Sequence, residues 1–229
     1  MTHLDVEIAR LKKDMLDLFG MVKLQLEKSK QALIHLDKDL AREVMVNEKR
    51  VNAVEIKLDR DCENIIALFN PVAIDLRFVL ACLKIINNLE RTGDIADGIA
   101  RYVLNIKLEP AQKLIDTTRL VEMYDISCNM LDVVMTAFAE ENTNLARSVF
   151  GMDDKLDEIF HQSNQKVGEF IKENPDRINQ SLYVFSASSK LERVGDQCKN
   201  IAEELIFFVE AKVLKHSVKS TSKSENQKT

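Results

Sequence analysis

The chain of 229 residues is 45% hydrophobic and 30% charged with a formal net charge of −5, a balance that can bury one large core or two small ones. Six glycines, three prolines and no tryptophan are few for this length, and the dominant Leu, Ile, Val, Ala, Glu, Asp and Lys favour helices, so an all-α fold is expected. The acidic balance argues against a nucleic-acid binder, no apolar run approaches the roughly 18 residues that span a bilayer, and residues 1–10 lack the pattern of a signal peptide, so a cytoplasmic location is expected.

From residue 4 to 36 apolar side chains recur every three or four positions, as in Leu11, Met15, Leu18, Val22 and Leu26, which is one face of a first helix. A second helix is predicted over 40–69. It must stop at Asn70-Pro71, because the proline ring disfavours helical geometry in the residue before it and is itself a good first position for the next helix. On this second helix Glu48, Asn52, Glu55 and Asp59 fall at spacings of four, three and four.

The third helix, predicted over 71–108, would be about 55 Å long at 1.5 Å per residue. Residues three and four apart share a face of a helix. Asn87, Glu90, Asp94, Asp97 and Arg101 therefore form one stripe, and Cys82, Ile86, Leu89, Gly93, Ala96 and Ala100 form a second beside it. The small members of the second stripe admit another backbone.

Glu109-Pro110 ends that helix and the plan restarts, with helices predicted over 111–141, 143–173 and, after Asn174-Pro175, 176–216. The segment LERTGDIADGIA at 89–100 returns as LERVGDQCKNIA at 191–202, which lays Glu90 on Glu192 at an offset of 102. Such a recurrence is the mark of an internal duplication. Two tandem, pseudo-symmetric three-helix bundles are expected, residues 1–109 and 110–216. The tail 217–229 is too polar to offset the entropy of ordering, and a disordered tail is expected. The basic cluster Lys212, Lys215, His216 and Lys219 reads as a solvated helix end. Cys62, Cys82, Cys128 and Cys198 stand singly and read as buried free thiols.

The chemistry lies in the acids. The sixth helix repeats the motif with Glu192, Asp196 and Glu203 beside Leu191, Gly195, Cys198 and Ala202, and the fifth carries Asp153 and Asp157, with His161 and Asn164 continuing the line. Gly93 and Gly195 each cost about 1 kcal/mol relative to Ala inside a helix, which calls for tight packing next to the carboxylates. If the second helix packs antiparallel on the third, two acidic stripes face one another, and such a concentration requires raised pKa values or cations.

The candidate metal ligands are therefore Glu48, Glu55, Asp59, Glu90 and Asp94 in the first half and Asp153, Asp157, Glu192 and Asp196 in the second, one site on each bundle. Oxygen donors suit magnesium, calcium or manganese, and iron and zinc also accept carboxylates. Acids at helical spacing are ordinarily a solvated face, but solvation does not require Glu-Arg-x-Gly-Asp twice, glycine included. Glu158 with His161 makes one Glu-x-x-His, where di-iron carboxylate bundles use two. The sequence holds no phosphate-cradling Gly-x-x-x-x-Gly-Lys loop, no serine elbow and no Cys/His nucleophile pair, so no catalytic residue is assigned.

On these residues the chain resembles the PhoU family of phosphate-uptake regulators. The resemblance is carried by MVKLQLEKSKQAL, by VNAVEIKLDRDCENIIALFNPVAIDLRFVLACLKIINNLERTGD, by DDKLDEIF and by LERVGDQCKNIAEELIFFVEAKVLKH. It implies two similar three-helix bundles. It also implies iron or zinc clusters on Glu/Asp-x-x-x-Asp motifs, matched here by Glu90 with Asp94, Glu192 with Asp196 and Glu55 with Asp59. The sequence departs from the family pattern at Glu48, Asn70, Gly98 and Gln197, where Asp, Gln, Asn and His are common.

The resemblance further implies regulation in place of catalysis: restraint of a phosphate importer and of the phosphate-starvation response. The implied partners are the importer's ATPase subunit and a sensor histidine kinase, which would bring the chain to the inner membrane as a peripheral protein. A homodimer is the expected assembly. Two other classes stay open on the residues alone, a ferritin-like metal-dependent enzyme and a metal-free structural helical repeat.

Overall fold

The computed structural model describes residues 2–211, and those residues form an all-α fold. In chain order the helices are α1 (His3–His35), α2 (Lys38–Phe69), α3 (Ala73–Asn105), α4 (Gln112–Thr117), α5 (Leu120–Glu140), α6 (Thr143–Glu173) and α7 (Ile178–Glu210), with a single 3-10 turn at Pro175–Arg177 before α7. Local chemistry sets several of the ends. Thr2 and Asp5 close a reciprocal capping box on α1, Asp37 accepts from the Asp39 and Leu40 amides at the start of α2, and Asn142 accepts from the Leu145 amide at the start of α6; each oxygen satisfies backbone donors that the first turn leaves free. Leu36, Asn70, Glu141 and Ala211 end their helices in the left-handed conformation, which stops propagation.

Several predicted boundaries move: α3 ends at Asn105, short of 108, and α7 ends at Glu210, short of 216, with Ala211 left-handed beyond it. Pro71 does not open α3: Asn70 (φ 46°) and Ala73 (φ 49°) are both left-handed, so the chain turns through Pro71 and extended Val72 before the helix begins at Ala73. The predicted single helix over 111–141 is two. The Thr118 hydroxyl donates to the carbonyls of Leu114 (2.8 Å) and Ile115 (3.2 Å), and Arg119 turns left-handed at φ 54°. A hydroxyl that occupies its own helix's carbonyls weakens the continuing ladder. The tail 217–229 and the basic cluster at Lys212, Lys215, His216 and Lys219 lie outside the described residues.

Helices α1, α2 and α3 make the first bundle; α5, α6 and α7, with the short α4, make the second. They are pseudo-symmetric and share one core. Helix α3 packs antiparallel on α7, as cross-links along the pair record: Arg77 Nε donates to the Phe208 carbonyl (3.3 Å), Lys84 Nζ donates to Glu204 (2.9 Å) and Asn200 donates to Asn88 (3.4 Å). Phe19, Phe78, Phe138 and Phe208 stack together at one end of this contact, and Tyr102 meets Tyr183 at the other. The stripe Cys82, Ile86, Leu89, Gly93, Ala96 and Ala100 is wholly buried, as the spacing predicts. Cys62, Cys82 and Cys198 are buried free thiols, and Cys128 is free and half-buried. Among the described residues no helix is long and apolar enough to cross a membrane.

Candidate metal centre

The first acidic seam lies where α2 crosses α3, and Gly93 makes the crossing close. A methyl group at Gly93 would stand 3.0 Å from Glu48 Oε2 and 3.3 Å from Val51 Cγ1, so the glycine lets the Glu48 carboxylate lie close against α3. Glu48 is 7% exposed. From α1, Gln25 donates its amide to Glu48 Oε2 and, at 3.4 Å, to the Gly93 carbonyl. Glu48 Oε1 is buried with no hydrogen-bond partner.

Carboxylate oxygens of Glu48, Glu90 and Asp94 lie within 4.8 Å of one another. Glu55 sits in the field of Asp59 and Asp94, and Glu90 in the field of Asp94 and Glu55. The seam's electrostatics follow from that crowding. Burial, followed by Asp94, Asp97 and Glu90, pushes the Glu48 carboxyl up to about 7 against the opposing hydrogen bond from Gln25. Burial and neighbouring acids also raise Glu90 and Glu55, and burial with Glu63 raises Asp59. Of the three, Glu48 is buried, Glu90 half-buried and Asp94 exposed. Two full charges at such a separation repel by roughly 3 kcal/mol at an effective dielectric of about 20, a repulsion that a proton on Glu48 or a cation relieves. Asp97 is paired with Arg101 (2.6 Å). No ion pair links Glu48, Glu90 or Asp94 to a lysine or arginine among the described residues, and Arg91 is exposed.

The second seam repeats the crossing with α6 on α7. A methyl at Gly195 would stand 2.6 Å from Asp153 Oδ1 and 2.8 Å from Leu156 Cδ2, so Asp153 and Leu156 occupy the places of Glu48 and Val51. Asp153 is 3% exposed and its Oδ1 has no partner. Its Oδ2 accepts from the ammonium of Lys199, which also lies 3.1 Å from Asp196 Oδ1. Glu192 is raised by burial and by Asp196, Asp157 and Asp153. Asp153 is raised by burial although Lys199 opposes it. Burial disfavours the Lys199 ammonium, but its hydrogen bonds to Asp153 and Asp196 more than restore it.

Carried on in the same register, Phe160 stands where the first seam has Glu55, Asn164 where it has Asp59, Met130 where it has Gln25 and Lys199 where it has Asp97. The structure thus gathers Glu48, Glu90 and Asp94 tightly, with Glu55 and Asp59 farther along the groove, and gathers Asp153, Asp157, Glu192 and Asp196 around a lysine. His161 and Asn164, read as continuing the second acidic line, are exposed, and His161 lies beside Phe160 with ring centroids 6.1 Å apart. Glu158 is also exposed and accepts from Gln162. That leaves the single Glu-x-x-His outside the seam.

Spacing alone missed Gln25 and Lys199. Gln25 was findable as a polar residue beside the apolar series Val22 and Leu26, and Lys199 as a cation one turn beyond Asp196. Gly98, the departure beside the first motif, has a packing cause: Lys190 from α7 crosses it. A methyl there would stand 2.6 Å from Lys190 Nζ, which lies 5.9 Å from the centre of the Tyr102 ring. The duplicated counterpart of this contact is the hydrogen bond between Asn88 and Asn200.

An all-oxygen donor set with one orphaned, buried carboxylate oxygen fits a hard or borderline divalent ion at the first seam. Such an ion would add positive charge in direct contact with Glu48, Glu90 and Asp94, which Arg101, Lys190 and Arg91 reach only through space. Glu48, Glu90 and Asp94 would hold it, with Glu55 and Asp59 beside them.

The PhoU domain matches the chain twice, over residues 15–103 and 120–205, which are the two halves of the duplication. A phosphate-specific transport system accessory protein PhoU homolog of a Burkholderia species is 33% identical over 94% of this chain and 92% of its own length. The phosphate-specific transport system accessory protein PhoU of Escherichia coli K12 is 31% identical over 93% of this chain and 87% of its own. The crystal structure of PhoU from Pseudomonas aeruginosa superposes with a TM-score of 0.86 at 28% identity, covering 92% of this chain and 100% of that one. The structure of the phosphate transport system regulatory protein PhoU from Streptococcus pneumoniae gives 0.85 at 26% identity, covering 93% of this chain and 99% of that one.

Proposed function

This chain belongs to the PhoU family, and from that premise we propose that it restrains phosphate uptake and the phosphate-starvation response. It does so by docking on the phosphate importer's ATPase subunit or on a sensor histidine kinase, at the cytoplasmic face of the membrane and as a homodimer. Metal held by Glu48, Glu90 and Asp94 ties α2 to α3 and sets the shape of the docking surface. The observation that carries the regulatory reading is the family match across both halves, with relatives named as accessory proteins of phosphate transport. The metal reading is supported by the three crowded carboxylates and the unpartnered Glu48 oxygen.

A regulator of this kind binds and does not turn over a substrate. It shifts a partner between states only by holding one of them more tightly than the other. A strain lacking the gene should therefore express phosphate-starvation genes at high phosphate and accumulate intracellular phosphate. A reporter assay in that strain, complemented by this chain, tests the reading. Normal repression without the gene would overturn it.

A further inference from the structure

We propose that Lys199 is a built-in counter-ion that closes the second acidic seam to metal, so that each chain binds metal at the first seam alone. This inference rests on the metal reading above. The two seams were copied from one plan, as Gly93 and Gly195 with their neighbours Val51 and Leu156 record, but they solve the same charge problem differently. Each seam keeps one bare, buried carboxylate oxygen, Glu48 Oε1 and Asp153 Oδ1. In the first, the other oxygen of that carboxylate faces the neutral amide of Gln25. In the second, Met130 stands in place of Gln25. The Lys199 ammonium bridges Asp153 of α6 and Asp196 of α7, the two places where a bridging metal ion would draw its oxygens.

The second seam gains one acid, Asp157 where the first has Asn52, but loses three. Phe160 and Asn164 replace the acids at Glu55 and Asp59, and Lys199 itself replaces Asp97. A divalent ion entering the second seam would meet an ammonium already bonded to its ligands. It would have to break the ion pair that the Lys199 ammonium makes with the buried Asp153 carboxylate, which disfavours entry. In the first seam no ammonium or guanidinium is bonded to Glu48, Glu90 or Asp94 among the described residues; Arg101 is bonded to Asp97, and Arg101 and Lys190 reach Asp94 only through space.

The test is metal counting on the full chain loaded with Zn2+ or, anaerobically, Fe2+, then desalted, with melting curves recorded with and without chelator. Wild type should carry one metal centre, and Glu90→Gln with Asp94→Asn should remove it. Lys199→Met should raise the metal per chain about twofold, as two independent seams would, and its melting temperature should fall in chelator and recover with metal. Asp97→Lys places an ammonium at the matching point of the first seam and should abolish loading there, while Asp97→Asn keeps it; this pair carries the test if Lys199→Met does not fold. Retention of half the metal by the Glu90/Asp94 variant, or unchanged loading in both Lys199→Met and Asp97→Lys, would overturn the role of Lys199 and leave the metal reading standing. Absence of bound Zn2+ and Fe2+ in wild type and Lys199→Met alike would overturn both.

Discussion

At the scale of the residue, Glu48 is the group whose protonation state the fold has to manage. Its carboxyl rises from the ordinary 4.5 to about 7, first through burial and then through Asp94, Asp97 and Glu90. A carboxyl whose folded pKa is raised contributes stability that is fully present below the unfolded value and is lost as pH climbs through the folded one. The window here runs from about 4.5 to about 7, and the amount at stake in the metal-free protein is about 3 kcal/mol at most, at 1.36 kcal/mol per unit. Glu48→Gln copies the protonated state. It should therefore raise the stability of the metal-free protein at pH 8 by about 1–3 kcal/mol and at pH 5 by less than about 1 kcal/mol. Urea melts of both proteins in chelator at the two pH values check this, and an equal difference at both would mean that Glu48 is not held near neutrality. The acids themselves were legible in the sequence because the motif recurs. Gln25 and Lys199, which decide how the acids are balanced, carried only faint signals, a polar residue beside an apolar series on α1 and a cation one turn beyond Asp196 on α7, and neither belongs to the repeated pattern of acids.

At the scale of the element, helices end and cross where small local groups permit. The six long segments were legible from apolar spacing and from the prolines. The break between α4 and α5 was not, because it lies at Arg119 in the left-handed conformation, and nothing in an apolar series marks that. Pro71 was misplaced by two residues for a related reason: paired left-handed residues at Asn70 and Ala73 reverse the chain, and neither is glycine. The close crossings were legible, since a glycine kept in both copies of a helical motif has to serve packing.

They also yield a sharp comparison. At Gly151 an added methyl meets nothing within 4 Å, whereas at Gly195 it meets Asp153 at 2.6 Å and Leu156 at 2.8 Å. Gly151→Ala should stabilise by up to about 1 kcal/mol through helix propensity. Gly195→Ala should destabilise by about 1–2 kcal/mol, because overpacking outweighs that gain. Thermal melts of the two variants separate the effects, and equal stabilisation would place Gly195 at a loose contact.

At the scale of the whole molecule, the two bundles share one core through the antiparallel contact of α3 and α7, with their acidic seams on α2 and α3 in one half and on α6 and α7 in the other. The duplication could be read from residues 89–100 and 191–202, but the fusion of two bundles on a single core could not, because the partners of a buried face are a property of the assembled chain. A rigid unit of this kind influences a partner through its surface, and the central claim is that it docks on the phosphate uptake and sensing machinery. The most direct measurement is affinity capture of the tagged full chain from cells grown at high and at low phosphate, with quantitation of the importer's ATPase subunit and the sensor kinase. One of the two should be recovered, in an amount that changes with phosphate. Recovery of neither at either phosphate level would contradict it.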